Sequence, residues 1–221
     1  NLASCSNGTR GLFGGGASSG VAASNVIDYV TIASAGNATD FGNLTVARHS
    51  LAGCSNGTRG LFGGGSEAGI AGINTIDYVT IASTGNATDF GDLSNGLREL
   101  ASCSNTTRGV FAGGRGASTS HVPINVIQYV TIASAGNATD FGDLTSVNNQ
   151  FTACANNTRG LFGGGVSSSA ILNRIDYITI DTTGNATDFG DLLYSTYSQG
   201  AAANSTRGVF SGGVVSTRTN V

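Results

Sequence analysis

The chain contains no lysine, no methionine and no tryptophan, one proline (Pro123) and two histidines (His49 and His121). Each scarcity excludes something. Without lysine, with charged residues at 10% of 221 and a net charge of -3, no basic stripe for nucleic acid can form. The two histidines sit at non-equivalent places in variable segments, so solvated loop positions are expected rather than a hydrolase triad or a zinc centre. No apolar run approaches the length of a membrane span, and the opening "NLASCSNG" lacks the basic-then-apolar grammar of a signal peptide. With no methionine, Asn1 is not an initiator, and the expectation is a processed product or a portion of something longer.

What is present is small and polar. Thirty-five glycines with abundant Ser, Thr, Asn and Ala describe a β-rich chain, and a hydrophobic fraction of 39% is enough for a core.

An internal repeat governs the rest. Arg10, Arg59, Arg108, Arg159 and Arg207 recur at intervals of 49, 49, 51 and 48 residues, and Tyr29, Tyr78, Tyr129 and Tyr177 follow the first four. Phe41, Phe90, Phe141 and Phe189 come 12 residues after each Tyr. Length varies only after the glycines of "TRGLFGGG" and after "DFGDL". The units run approximately 1–49, 50–98, 99–149 and 150–198, with a half unit at 199–221, in a single repeat domain.

Each unit reads as four short strands: "LASCSN", "RGLFGGG", "IDYVTI" and "TDFGDL", the first two separated by the turn-forming Asn-Gly of Asn7-Gly8 and Asn56-Gly57. Leu12 and Phe13 are adjacent and face opposite ways, so the second strand needs cover on both sides. The fold class expected is all-β, a β-propeller of four-stranded antiparallel blades; a stacked β-solenoid is the rival. The "RGLFGGG" strand occurs five times and the later strands four, so a further segment or another chain is expected to complete the last half blade.

Cys5, Cys54, Cys103 and Cys154 each precede a repeated Arg by five residues, and Ala202 stands in the fifth place. A position that accepts Ala is small and buried. Buried thiols are expected, because copies related by rotation sit too far apart for a disulfide.

The motifs that look like chemistry read better as architecture. A phosphate loop needs a lysine and a following helix, and neither is present; the glycine run instead marks close passage of backbones, with Ala112 and Ser211 as small substitutes for Gly14. "DFG" recurs at Asp40, Asp89, Asp140 and Asp188 with no catalytic partner, and the pairs Asp89 and Asp92, Asp140 and Asp143, Asp188 and Asp191 are too few for a calcium site. Asx-type turn bonding is expected of these aspartates. The repeated arginines are expected to pair with them structurally. Ten N-x-[ST] sequons, from Asn7 to Asn204, fit turn chemistry or glycosylation. No metal, cofactor or catalytic residue is assigned.

Segments 17 to 25, 66 to 74, 115 to 125 and 166 to 173 differ in every copy. In or beside them stand Glu67, Arg115, His121 and Arg174, the candidate recognition residues. Variable loops on a constant scaffold fit either a recognition face or unconstrained drift.

Gly14-Gly15, Tyr29 and Phe41, with their equivalents in the next three units, resemble the kelch motif of kelch and galactose-oxidase-type propellers. The last aromatic is Phe where kelch has Trp, and the Tyr-to-Phe spacing is longer. The run "IDYVTIASTGNATDFGDL" with "CSNGTRGLFGGG" is similar to repeats of marine bacteriophage tail-fibre and structural proteins. That resemblance implies a non-enzymatic structural or adhesive module at a virion or extracellular surface. It would bind a surface glycan or protein, and its partners would be further repeats or other chains. A purely structural filament subunit is the alternative. A galactose-oxidase-like enzyme is a remote one, since no copper-ligand constellation matches.

Overall fold

The structure, a computed structural model, describes residues 1–17, 22–67, 72–116 and 122–215. It is all-β, with no helix among the described residues.

The first unit is a meander of β1 (Ala3–Ser6), β2 (Arg10–Gly14), β3 (Val26–Thr31) and β4 (Thr39–Asn43), paired antiparallel in chain order. The second repeats it with β5 (Ala52–Ser55), β6 (Arg59–Gly63), β7 (Ile73–Thr80) and β8 (Thr88–Arg98). In the third, β9 (Ala101–Ser104) and β10 (Arg108–Ala112) precede a short β11 (Arg115–Gly116) that crosses to β8. The unit is completed by β12 (Ile124–Thr131) and β13 (Thr139–Asn148). The fourth comprises β14 (Thr152–Ala155), β15 (Arg159–Gly163), β16 (Arg174–Thr179) and β17 (Thr187–Asp191). Beyond it, β18 (Thr196–Tyr197) pairs with β21 (Val214–Val215), and β19 (Gly200–Ala203) with β20 (Gly208–Ser211).

Turn chemistry sets each first hairpin. The Asn7 carboxamide oxygen accepts the backbone N–H groups of Thr9 and Arg10, and Asn56, Asn105, Asn156 and Asn204 do the same in their units. Half of the sequons are thereby accounted for as turns. Among the described residues, Asp188 alone of the repeated aspartates makes such a bond, to the Gly190 N–H. The loop before the fourth strand of the second, third and fourth units is held by asparagine instead: Asn86, Asn137 and Asn185 accept the backbone N–H of residue 43, 92 or 143 in the preceding unit.

The core lies between units. Cys5, Leu12, Ile27, Phe41 and Leu44 of the first sheet pack against Leu51, Phe62, Val79 and Ile81 of the second, and the same residue classes meet at the next two junctions. Both faces of a middle unit are therefore covered, as Leu61 and Phe62, each fully buried, demonstrate. Burying one such side chain stabilises by about 1.5–3 kcal/mol.

The glycines make room for these contacts. Phe62 lies 2.8 Å from where a Cβ on Gly14 would stand, and Phe111 2.6 Å from one on Gly63. Gly60, Gly109, Gly160 and Gly208 receive the thiols of Cys5, Cys54, Cys103 and Cys154 from the unit before.

All four cysteines are free and buried. Burial pushes the Cys5 and Cys103 thiols up to about 12 and raises those of Cys54 and Cys154. In the unfolded chain a thiol ionises near 9. Between that pH and about 12 the unfolded state has lost a proton that the native state keeps, so stability falls as pH rises. Cys5 and Cys103 are each expected to contribute about 1.4 kcal/mol per pH unit in that window. Denaturation measured at pH 8 and pH 10.5 checks this: Cys103→Ala should show a shallower alkaline loss than the native chain. Thiol reagent should find no reactive cysteine before unfolding.

The repeated arginines depart from expectation. No ion pair to the repeated aspartates forms among the described residues. Arg10, Arg59, Arg108 and Arg159 instead stack on Tyr29, Tyr78, Tyr129 and Tyr177 at 4.8, 4.7, 4.4 and 5.0 Å. Each Tyr meets the Phe of its fourth strand edge-on at 5.9–6.0 Å. Arg10, Arg59 and Arg108 also donate to the carbonyls of Ile81, Ile132 and Ile180 in the following unit. Stacking leaves the guanidinium N–H groups free for the carbonyl, which a compact carboxylate pair would have competed for.

Candidate functional site

The described parts of both variable segments of the repeat come to one end of the stack. The stretch following the glycines folds back onto the preceding unit, through bridges between Ser66 and His49, between β11 and β8, between Val166 and Asn149, and between β21 and β18. The turn that leads from each fourth strand into the next first strand lies at the same end. The invariant Asn turns and "ASAGNA" loops lie at the other, where the Ile32 N–H donates to the Thr9 carbonyl.

At the variable end the first strands line an open cavity of about 580 Å³. Its rim carries Asn1, Ser50, Glu99, Gln150 and Ser198. A backbone ladder ties these together: Ser50 N–H donates to the Asn1 carbonyl, Glu99 to Ser50, Gln150 to Glu99 and Ser198 to Gln150, at 2.8–3.0 Å. Below the rim, the hydroxyls of Ser55, Ser102 and Ser104 donate to carbonyls of the neighbouring first strand, a contact that no main-chain ladder supplies.

Ser50, Glu99, Gln150 and Ser198 share a left-handed backbone, with φ of 57°, 58°, 54° and 56°. Every other described residue with positive φ is glycine. A chain that uses glycine at such positions elsewhere keeps polar side chains at these four, although glycine would adopt the conformation with less strain. Nothing in the residue types announced this turn, because it holds no Gly, Asn-Gly or Pro. The usable signal was positional: intervals of 49, 51 and 48 place the four in register with the arginine repeat.

The candidate recognition residues divide. Arg115 joins the rim, pairing with Glu99 at 3.0 Å and donating to the Asn149 carboxamide at 3.0 Å. Glu67 is half-buried beside Ser66 at the same end. Arg174 is engaged lower down, with Asp176 at 2.9 Å and the Ser146 hydroxyl. His121 lies outside the described residues. His49 is half-buried in the turn, its ring against the Ser50 hydroxyl at 3.0 Å, rather than solvated.

A second polar constellation went unread in the sequence. Arg48 and Asp77 form a fully buried ion pair at 2.9 Å. Arg48 also donates to the Thr75 and Phe62 carbonyls, and Asp77 accepts from the hydroxyl and N–H of Thr45. At the next junction Leu97 occupies the place of Arg48, since its carbonyl accepts the Gly65 N–H as that of Arg48 accepts the Gly16 N–H, and the acid is replaced by Gln128. At the third, Asn148 stands there, Asp176 returns, and Arg174 supplies the cation from its own strand. Acid and cation thus come and go together along the chain.

No protein-family model and no curated protein matches the chain.

Proposed function

We propose that the chain is a run of kelch-like propeller blades acting as a non-enzymatic structural and adhesive module at a virion or extracellular surface. Its variable end binds a surface glycan or protein. The observation that carries this reading is the set of left-handed Ser50, Glu99, Gln150 and Ser198 around one polar cavity. Strain retained at equivalent positions of successive units, where glycine would relieve it, marks side chains kept for what they contact. Ser, Gln, Glu and Asn on the rim present hydroxyl, amide and carboxylate groups, which recognise a hydroxyl-rich ligand by hydrogen bonds. The resemblance of the sequence to tail-fibre repeats would imply the same kind of role.

The labelled chain applied to an array of cell-surface glycans and to intact cells should be retained by a discrete subset. Silence on both would remove the adhesive role. A purely structural subunit is the second reading, favoured by the apolar cores that join one unit to the next. Electron microscopy of the purified chain separates the two: filaments without surface binding belong to the second.

A further inference from the structure

We infer that Arg98 and Arg115, set directly opposite one another beside the rim, form a site for the oxyanion of an acidic surface glycan, a carboxylate or a sulfate. The inference rests on the adhesive reading of the variable end and adds the charge of what is bound there.

The pair stands apart from the other arginines of the variable segments. Arg48 and Arg174 each meet an aspartate of their own, Asp77 and Asp176. Arg98 and Arg115 instead face each other across the pairing of β8 with β11. Directly opposed residues of an antiparallel pair turn their side chains to the same face, where like charges repel. The fold does not require this. The residues preceding the left-handed Ser50, Gln150 and Ser198 are His49, Asn149 and Tyr197, and they face Ser66, Val166 and Val214. None of those three pairings sets two guanidinium groups against one another.

The charge is also unbalanced. Among the described residues, the one ion pair made by either arginine is that of Arg115 with Glu99 at 3.0 Å. Arg98 is in no ion pair among them, and its Nε is buried without a hydrogen-bond partner. Glu67, another acid at this end, pairs with neither. Two cations against one carboxylate leave a positive charge, which a bound anion would balance.

Arg115 is held ready for that role. Its Nε–H donates to the Asn149 carboxamide at 3.0 Å, and Asn149, fully buried, is itself fixed by donating to the Val166 carbonyl at 2.7 Å. The outer edge of the guanidinium, with its two terminal nitrogens, has no partner among the described residues, and the side chain is 31% exposed. Two parallel N–H groups at such an edge match the paired oxygens of a carboxylate or sulfate. Ser50 and Gln150 on the same rim add the hydroxyl and amide groups that suit the neutral part of a sugar. A polar rim of this kind favours a sugar over an acidic peptide, which would call for an aromatic or aliphatic anchor pocket.

The test is an array in which sialylated, uronic and sulfated glycans are each printed beside a neutral counterpart, together with an oligoglutamate peptide. It is probed with the full chain and with Arg98→Gln. Preferential retention on the acidic glycans is expected, falling as sodium chloride is raised. Arg98→Gln should weaken that retention at least about 10-fold. The same variant should keep or raise the melting temperature of the free chain, because it relieves the repulsion; an arginine with a purely structural role would lower it on removal. Comparing sulfated with carboxylated members tells which oxyanion is taken. Retention on neutral glycans alone, or acidic retention untouched by Arg98→Gln, overturns the inference and leaves the adhesive role standing. Retention on oligoglutamate in place of the glycans has the same consequence, as does a rise in melting temperature with inorganic sulfate and no preference for acidic glycans. Silence on every glycan also overturns it, and only silence on intact cells as well removes the adhesive role.

Discussion

Replacing Arg48 with leucine is expected to lower the unfolding free energy by about 3–5 kcal/mol, because it leaves the fully buried Asp77 carboxylate without its cation. Adding Asp77→Gln should restore most of that loss. The double variant reproduces the pairing already present at the next junction, where Leu97 precedes Gln128 and both are buried. A neutral arrangement of similar volume can equal a buried ion pair, since neither charge need then be taken out of water. The converse variant, Gln128→Asp alone, should be as damaging as Arg48→Leu, since among the described residues no ion pair reaches that position, where the Gln128 amide oxygen accepts the Ser94 N–H. Denaturant midpoints of the three variants decide the matter. Equal damage from Arg48→Leu with and without Asp77→Gln would show that the pair does not act as a unit.

The second large effect concerns the outer edge of the stack. Gly91 has φ of +140°, and a Cβ there would stand 2.6 Å from the Gly136 carbonyl of the following unit. The obstacle is backbone, held by the bond from Gly136 N–H to the Phe90 carbonyl, and cannot turn aside. Gly91→Ala should therefore destabilise by at least about 2 kcal/mol, combining backbone strain with loss of the inter-unit bond. Gly190 provides the control, since it has φ of +135° and nothing within 4 Å of the added Cβ. Gly190→Ala should suffer the backbone term alone, about 1 kcal/mol. The difference between the two isolates the contact between units, and equal losses would remove that contact from the account.

These contrasts show what could be read in the residues and what could not. Strand order, the hairpin turns, the buried thiols and the close passage of glycines followed from spacing and residue type, because each depends on local geometry repeated in every unit. The partners of the arginines did not. A guanidinium at the head of a strand can meet a carboxylate or an aromatic face, and only the register that sets Arg10 opposite Thr31 puts Tyr29 within reach. Arg48 was hidden for another reason. It belongs to a variable segment and has no repeat of itself, so its significance appears only once Asp77, Gln128 and Asp176 are seen to change with what faces them. Likewise the left-handed turn at Ser50, Glu99, Gln150 and Ser198 is imposed by the ladder between units, not by residues that prefer it.

Those four side chains also offer the most direct test of the proposed function. Substituting all of them with glycine removes the rim of the cavity and relaxes the backbone, so the variant should fold with unchanged or greater stability. Binding of this quadruple variant to the glycans or cells that retain the native chain is the decisive measurement. The account predicts that binding is lost while the fold persists, and undiminished binding would contradict it.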